Sequence, residues 1–196
     1  MSDKRTVYAA SVILPDRVGI LRDVSTAVSA IGGNLIDLRQ LVVAGCFTLT
    51  FVVTFADGAA AEELRTALSD ALSGDTAAIN VLPYGTDHAP VVERGSRYVF
   101  TVSGPDGPGR VSEVSQFFVE RGINIEDLQR SEMKDGSILN VGLVTIPDSV
   151  DLRAVQQEFS RLLDPLGLTT RLLHENIFRA TNEIGPIHAL LSPVKE

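Results

Sequence analysis

Two short segments of this chain combine residue types suited to holding a small anion. They are Pro15-Asp16-Arg17-Val18-Gly19 and Pro105-Asp106-Gly107-Pro108-Gly109. Each lies between an alternating apolar segment and one with apolar residues at helical spacing. A chain that turns there from strand to helix presents the unpaired N–H groups of the first helical turn, at the positive end of the helix dipole. A glycine in the turn lets a carboxylate approach those groups. Asn34-Leu35 and Asn124-Ile125 follow the two helices and begin the next strands. An asparagine amide donates and accepts, so it can hold an amino and a carboxylate group together. Asp16, Arg17, Val18, Gly19, Asn34 and Leu35 form one candidate ligand set, and Asp106, Gly107, Gly109, Asn124 and Ile125 the other. A structural reading of the same residues stands beside this. The aspartates serve as N-caps, the glycines allow close packing, and the asparagines adopt the left-handed conformation at a helix end.

In a strand–helix–strand path, Asn34 and Asn124 lie at the opposite end of the helix from the turn. They meet a turn only where units pack side by side. The two turns also differ. Pro108 replaces Val18 and removes one N–H group. Gly107 replaces Arg17, so a positive side chain is expected beside the first turn only.

The elements around the turns occur twice. With an offset of 90, the segment Pro15–Leu38 matches Pro105–Leu128 at nine positions without a gap. A repeat of this length marks two copies of one structural unit. In the first copy, Thr6 to Leu14 reads as a strand, and Ile20, Val24, Val28 and Ile31 mark a helix stopped by Gly32-Gly33. Leu35 to Val43 is a second strand, and Ala44-Gly45-Cys46 a turn. Phe47 to Phe55 alternates apolar residues with threonine, a clear strand signal. Asp57-Gly58 breaks it. Leu64, Leu68 and Leu72 mark a second helix, and Ala77 to Leu82 a closing strand. The second copy repeats the order: strand Arg97 to Ser103, helix stripe Val111, Val114 and Phe118, and strand Ile123 to Met133. Asp135-Gly136 forms a hairpin turn before strand Ile138 to Ile146. Leu152, Val155, Phe159 and Leu162 line the last helix of this copy, and Leu168 to Leu173 is its last strand.

The implied fold class is α+β, two ferredoxin-like βαββαβ units in tandem, each an antiparallel four-stranded sheet with two helices on one face. The other face must be covered or polar. The implied boundaries are 1–82, a linker at 83–95, a second unit at 96–174 and an apolar extension at 175–196. Ile177, Phe178, Ile184, Ile187, Leu190 and Leu191 make that extension too apolar for a free linker, so it is expected to pack on a sheet or a second chain.

Composition excludes several classes of function. The 196 residues carry a net charge of −8. The balance is −3 in residues 1–84 (6 basic, 9 acidic) and −5 in residues 85–196 (11 basic, 16 acidic). Neither half has the basic field of a nucleic-acid module, so no direct nucleic-acid partner is expected. No apolar run reaches the length of a membrane span, and the N-terminus lacks the layout of a signal peptide, so the expected location is the cytoplasm with no membrane partner. Cys46 is the one cysteine, which excludes an intrachain disulfide and a cysteine-cluster metal site; it is expected to be a packing thiol in a hairpin turn. His88, His174 and His188 have no metal-ligand spacing, and no nucleophile elbow or phosphate loop is present. Ser11 reads as a strand hydroxyl. Asp37, Glu126 and Asp127 are expected to face solvent or pair with Arg39 and Arg130. The expected catalytic residues, metals and cofactors are therefore none.

The turn motif Pro-Asp-Arg-Val-Gly-Ile-Leu, followed by a helix and Gly-Gly-Asn-Leu, resembles the ACT domain, a small amino-acid-sensing module. The second copy, with Pro-Asp-Gly-Pro-Gly-Arg-Val and Gly-Ile-Asn-Ile-Glu-Asp, resembles it equally. Two copies together resemble the glycine cleavage system transcriptional repressor family over residues 6–174, and Ile177 to Ile184 resembles the end of small single-domain ACT proteins. The resemblance implies an amino acid, or a related metabolite, bound between units by the turn of one and the Gly-x-Asn segment of another. Some enzymes carry tandem ACT domains ahead of a catalytic domain; this chain is expected to lack one. The implied function is a non-enzymatic amino-acid-binding regulator, in a system such as glycine cleavage, acting as a homodimer on a protein partner. The alternative is a ligand-free protein-interaction or oligomerisation scaffold.

Overall fold

Alternation decides both sheets, and the helix stripes decide which face each sheet buries. A computed structural model describes residues 5–56, 60–85 and 94–182. The Asp57-Gly58 break, linker residues 86–93 with His88, and the tail with Ile184, Ile187, His188, Leu190 and Leu191 lie outside the described residues. The chain divides into two units, Met1–Pro90 and Val91–Glu196.

The first unit contains β1 (Thr6–Pro15), α1 (Ile20–Ala30), β2 (Gly33–Val43), β3 (Cys46–Phe55), α2 (Ala61–Ala71) and β4 (Ala78–Pro83). Its strands pair antiparallel in the order β2-β3-β1-β4. Alternate residues of β1 (Tyr8, Ala10, Val12, Leu14) and of β3 (Phe47 to Phe55) are buried against Ile20, Val24 and Val28 of α1 and Leu64 and Leu68 of α2. Burying a side chain such as Phe51 is worth about 1.5–3 kcal/mol. Gly32 takes the left-handed conformation that ends α1 (φ +75°). Gly33 has a different task. A Cβ there would lie 2.7 Å from Val28 and 2.9 Å from the Phe55 ring. At the matching place in the second unit stands Ile123, buried in the same core as Ile146.

The second unit contains β5 (Gly95–Pro105), α3 (Arg110–Val119), β6 (Asn124–Glu132), β7 (Ser137–Pro147), α4 (Leu152–Leu163), β8 (Thr169–His174) and α5 (Glu175–Asn182). The strand order is β6-β7-β5-β8, again antiparallel. Its helix stripes depart from those read in the sequence. Val111 is exposed and Phe117 is buried beside Val114 and Phe118, while Leu163 rather than Leu162 joins Val155 and Phe159 in the core. The apolar face of a helix is wider than a strict three- or four-residue step suggests.

Each unit solves the second-face problem differently. In the second unit, Val99, Val141 and Leu143 point away from α3 and α4, and Phe178 of α5 packs on them. Arg97 bridges to Glu175 at the start of that helix (3.5 Å), and His174 Nδ1 accepts the Asn176 N–H (3.2 Å). By strand register, the first unit has Ala9, Thr50 and Val52 where the second has Val99, Val141 and Leu143. The first face is more polar, and Thr50 is exposed.

Candidate functional site

Both turns begin their helices in the same way. Gly19 and Gly109 occupy the N-cap positions of α1 and α3 with φ of +96° and +82°, and neither helix start has a side-chain cap. The first intrahelical bonds are those from the Asp23 and Glu113 N–H groups to the Gly19 and Gly109 carbonyls (3.0 and 2.9 Å). The N–H groups before them are therefore left without an intrahelical acceptor. By contrast, Asp151 caps α4 by accepting the Arg153 N–H (2.9 Å). The N-cap reading of Asp16 and Asp106 is thus corrected: a left-handed glycine sits at each cap position. The Asp16 N–H instead donates to the Gly45 carbonyl (2.9 Å), tying the first turn to the β2–β3 hairpin. Asp106 accepts the Gly107 N–H (2.6 Å) and Arg130 Nη2 (2.5 Å). Arg130, chiefly, and the Gly107 N–H hold the Asp106 carboxyl below the usual carboxylate range.

The asparagines are also corrected from their structural reading. Asn34 and Asn124 lie in β2 and β6, and neither has the left-handed backbone. Asn34 is level with Thr54 and Val7, whereas Asp16 is nine residues on from Val7, just past the end of β1. At about 3.3 Å per residue, the turn and the asparagine of one unit are roughly 30 Å apart. Asn124 is likewise level with Thr145 and Arg97, nine residues from Asp106. The structure thus gathers Asp16, Arg17, Val18 and Gly19 at one end of the first unit and Asp106, Gly107 and Gly109 at the corresponding end of the second. It does not bring either turn to the Asn34-Leu35 or Asn124-Ile125 segment of its own unit. Leu35 and Ile125 pack on the cores, and a bulge follows each, at Ile36 and Glu126.

The cations also sit differently from the sequence expectation. Arg17 donates to Asp75 (Nε 3.0 Å, Nη2 2.7 Å) and to Asp23 (2.9 Å), and these carboxylates raise its pKa. Arg22, chiefly, and Arg17 hold the Asp23 carboxyl below its ordinary value. Arg17 is therefore held by the protein's own carboxylates, while Val18 beside it is fully exposed. The second turn has a guanidinium after all. Arg110 folds over Gly107, where a Cβ would lie 3.2 Å from its Nε and Nη2. The sequence contained a signal for it: Arg110 aligns with Ile20, a fully buried core residue of the first unit. A groove of about 670 Å³ runs from Gly109 and Glu113 between α3 and α4, bounded by Phe117, Arg121, Glu158 and Leu162. A shallower one of about 530 Å³ lies between α1 and α2.

The remaining residues have structural partners. Ser11 accepts from Asn80 (3.4 Å). Arg130 pairs with Asp106, and Glu126 with Arg97 (2.8 Å) and Thr145. Cys46 begins β3 and is exposed, which corrects its reading as a packing thiol. Among the described residues, no group of three His, Cys, Asp or Glu side chains is placed to hold a metal, and no helix is long and apolar enough to cross a membrane.

A UPF0237 protein of Methanopyrus kandleri is 30% identical over 90 residues, which is 45% of this chain and 99% of the relative. A UPF0237 protein of Methanococcus maripaludis is 31% identical over 93 residues, covering 44% of this chain and 96% of its own length. These relatives are about the length of one unit, and each matches less than half of this chain. Among solved structures, an unknown protein from Galdieria sulphuraria superposes with a TM-score of 0.75 at 24% identity, over 87% of this chain and 99% of that one. A candidate glycine cleavage system transcriptional repressor superposes at 0.64 and 19% identity, over 86% and 96%. Both share the tandem fold. The ACT domain model matches residues 11–79 and again 96–172, each match spanning a strand–glycine turn–helix and the asparagine after it. With both repeats matched, the chain belongs to the ACT domain family.

Proposed function

We propose that this chain is a non-enzymatic regulator that binds a small amino acid or related metabolite and signals through a protein partner. One observation carries the reading: α1 and α3 each start on a left-handed glycine with no side-chain cap, so the free N–H groups are available to a carboxylate. The separation of roughly 30 Å between each turn and its own asparagine means that a ligand touching both must lie between units. Assembly as a homodimer would supply such junctions. The proposed field of action is amino-acid metabolism in the cytoplasm; the shared tandem fold of a candidate glycine cleavage repressor supports the first part of this reading. The acidic balance of both halves favours a protein partner over DNA.

A specific observation favours the second reading, a ligand-free assembly scaffold. The edge strand β2 exposes Ile36, Leu38, Leu41, Val42 and Val43, an apolar edge of the kind that pairs with another chain. Calorimetry against the twenty amino acids separates the two. Binding that weakens about five- to a hundred-fold in Asn34→Ala or Asn124→Ala is the expected result. No heat from any amino acid, with a stable dimer in sedimentation, would leave the scaffold reading standing.

A further inference from the structure

The two repeats differ on the sheet face that points away from their first two helices. By strand register, Arg97, Val99, Val141 and Leu143 of the second unit stand where the first has Val7, Ala9, Thr50 and Val52. Val99 pairs with Leu143, and Val141 lies two residues along the same strand on the same face, so the three form one apolar patch. They are 1%, 5% and 6% exposed, and Phe178 of α5 packs on them. Thr50, at the same place in the first unit, is exposed.

α5 is a short cover held at two points. It has eight residues, and a helix of that length is marginal in water without tertiary support. Glu175 and Phe178 are three residues apart and so share one side of it. The Glu175 carboxylate, 14% exposed, meets Arg97 of the sheet (3.5 Å) and Arg179 of the helix itself (2.7 Å). Asn176, Ile177 and Arg179 are exposed. Glu126 pairs with the other terminal nitrogen of Arg97 (2.8 Å), which holds the guanidinium in place. The seat is therefore a cation beside an apolar patch. Its occupant offers a carboxylate and, three residues later, an aromatic ring. The link through His174, whose Nδ1 accepts the Asn176 N–H (3.2 Å), supplies the high local concentration that keeps so short a helix docked.

We propose that this seat is a docking site for a helix of a partner protein, and that α5 is its competitor within the chain. The partner helix presents an acidic residue to Arg97 and, three residues later, an aromatic residue to Val99, Val141 and Leu143, as Glu175 and Phe178 do. α5 must leave before the partner binds. The partner's apparent affinity is therefore lowered in proportion to the fraction of chains in which the seat is open. The inference rests on the proposed action through a protein partner and gives that partner its chemistry. It applies to the second repeat alone, because Val7 and Thr50 give the first sheet neither the cation nor the apolar patch.

The test uses the full chain and a synthetic peptide with the sequence Glu175–Asn182, its ends acetylated and amidated. NMR of the Val99, Val141 and Leu143 methyl groups reads binding up to millimolar peptide. Phe178→Ala removes the anchor of the internal competitor, and this variant should bind the peptide about ten-fold or more tightly than the wild type. Replacing the peptide's phenylalanine by alanine should abolish the shifts. Replacing its glutamate by glutamine should weaken binding about two- to five-fold. Glu175→Lys releases the other end of α5 and gives the same comparison if Phe178→Ala does not fold. No binding to either variant, equal binding to variant and wild type, or shifts that avoid these methyl groups overturns the inference. So does a peptide that binds as well without its phenylalanine. Self-association of the variant that the wild type lacks makes a second copy the occupant and also overturns it. Each of these failures leaves amino-acid binding, read by calorimetry, and a partner docked elsewhere on the chain intact.

Discussion

Replacing Gly109 separates the two reasons for a glycine at the start of α3. Its φ of +82° lies in the left-handed region, and an added Cβ would meet nothing within 4 Å. Gly109→Ala therefore adds no clash, and its whole cost is the backbone preference of an L-residue, about 1–2 kcal/mol. For a unit of this size, that lowers the melting midpoint by roughly 4–8 °C for each kcal/mol. Gly109→Asn should regain much of the loss, because asparagine visits this conformation readily. Circular dichroism during heating and in urea reads both variants against the wild type. Gly109→Ala as stable as the wild type would refute the reasoning, since the helix start would then not be held left-handed. Ligand binding gives the second half of the answer. Gly109→Asn keeps the backbone but places a side chain over the N–H groups, so an amino acid that binds there should be lost while the fold survives. If the asparagine variant keeps both stability and binding, the glycine is there for conformation alone.

Other consequences can be measured separately. The β2–β3 hairpin puts Ala44 at φ +50° beside Gly45 at φ +79°, a type I′ turn in which asparagine outperforms alanine; Ala44→Asn should raise stability by about 0.5–1 kcal/mol in urea denaturation. The folded-state pKa of Asp106 is lowered by Arg130 and the Gly107 N–H, so its contribution is present above the unfolded value of about 3.9 and lost as pH falls through the lower folded value. Asp106→Asn should flatten the melting temperature against pH below about pH 4 relative to the wild type; an identical acid limb would mean that the Arg130 pair contributes nothing. Phe178→Ala should undock α5 and speed amide exchange at Val99, Val141 and Leu143, and unaltered exchange would mean that another contact covers that face. Purified protein at physiological salt should not shift an arbitrary DNA duplex in a gel, given an acidic balance in both halves.

Local signals reveal the elements of this fold, and long-range register determines what its side chains do. Phe47 to Phe55 reads as a strand because alternation is a property of neighbouring residues, and the same strand appears as β3. The repeat shows that whatever fold one copy has, the other shares. Side-chain partners are another matter. Arg17 lies next to the first turn in sequence, yet Asp75, 58 residues away, captures its guanidinium. Arg110 reads as one more helix residue until its alignment with Ile20 sets an arginine against a residue that the first unit buries. Asn140 is hidden in the same way. Within Ile138 to Ile146 it passes for an ordinary strand residue, and only the pairings to Val102 and Arg130 place it on the buried face of the sheet. An internal repeat can make part of this visible beforehand. Where one copy has an apolar residue at the buried phase of its pattern and the other has a charged or amide group, the second copy must satisfy that group or lose stability. At the position matching Leu49, the second unit leaves Asn140 Oδ1 without a hydrogen-bond partner. Divergence between repeats at matched core positions therefore marks side chains whose partners the motif shared by both repeats cannot reveal.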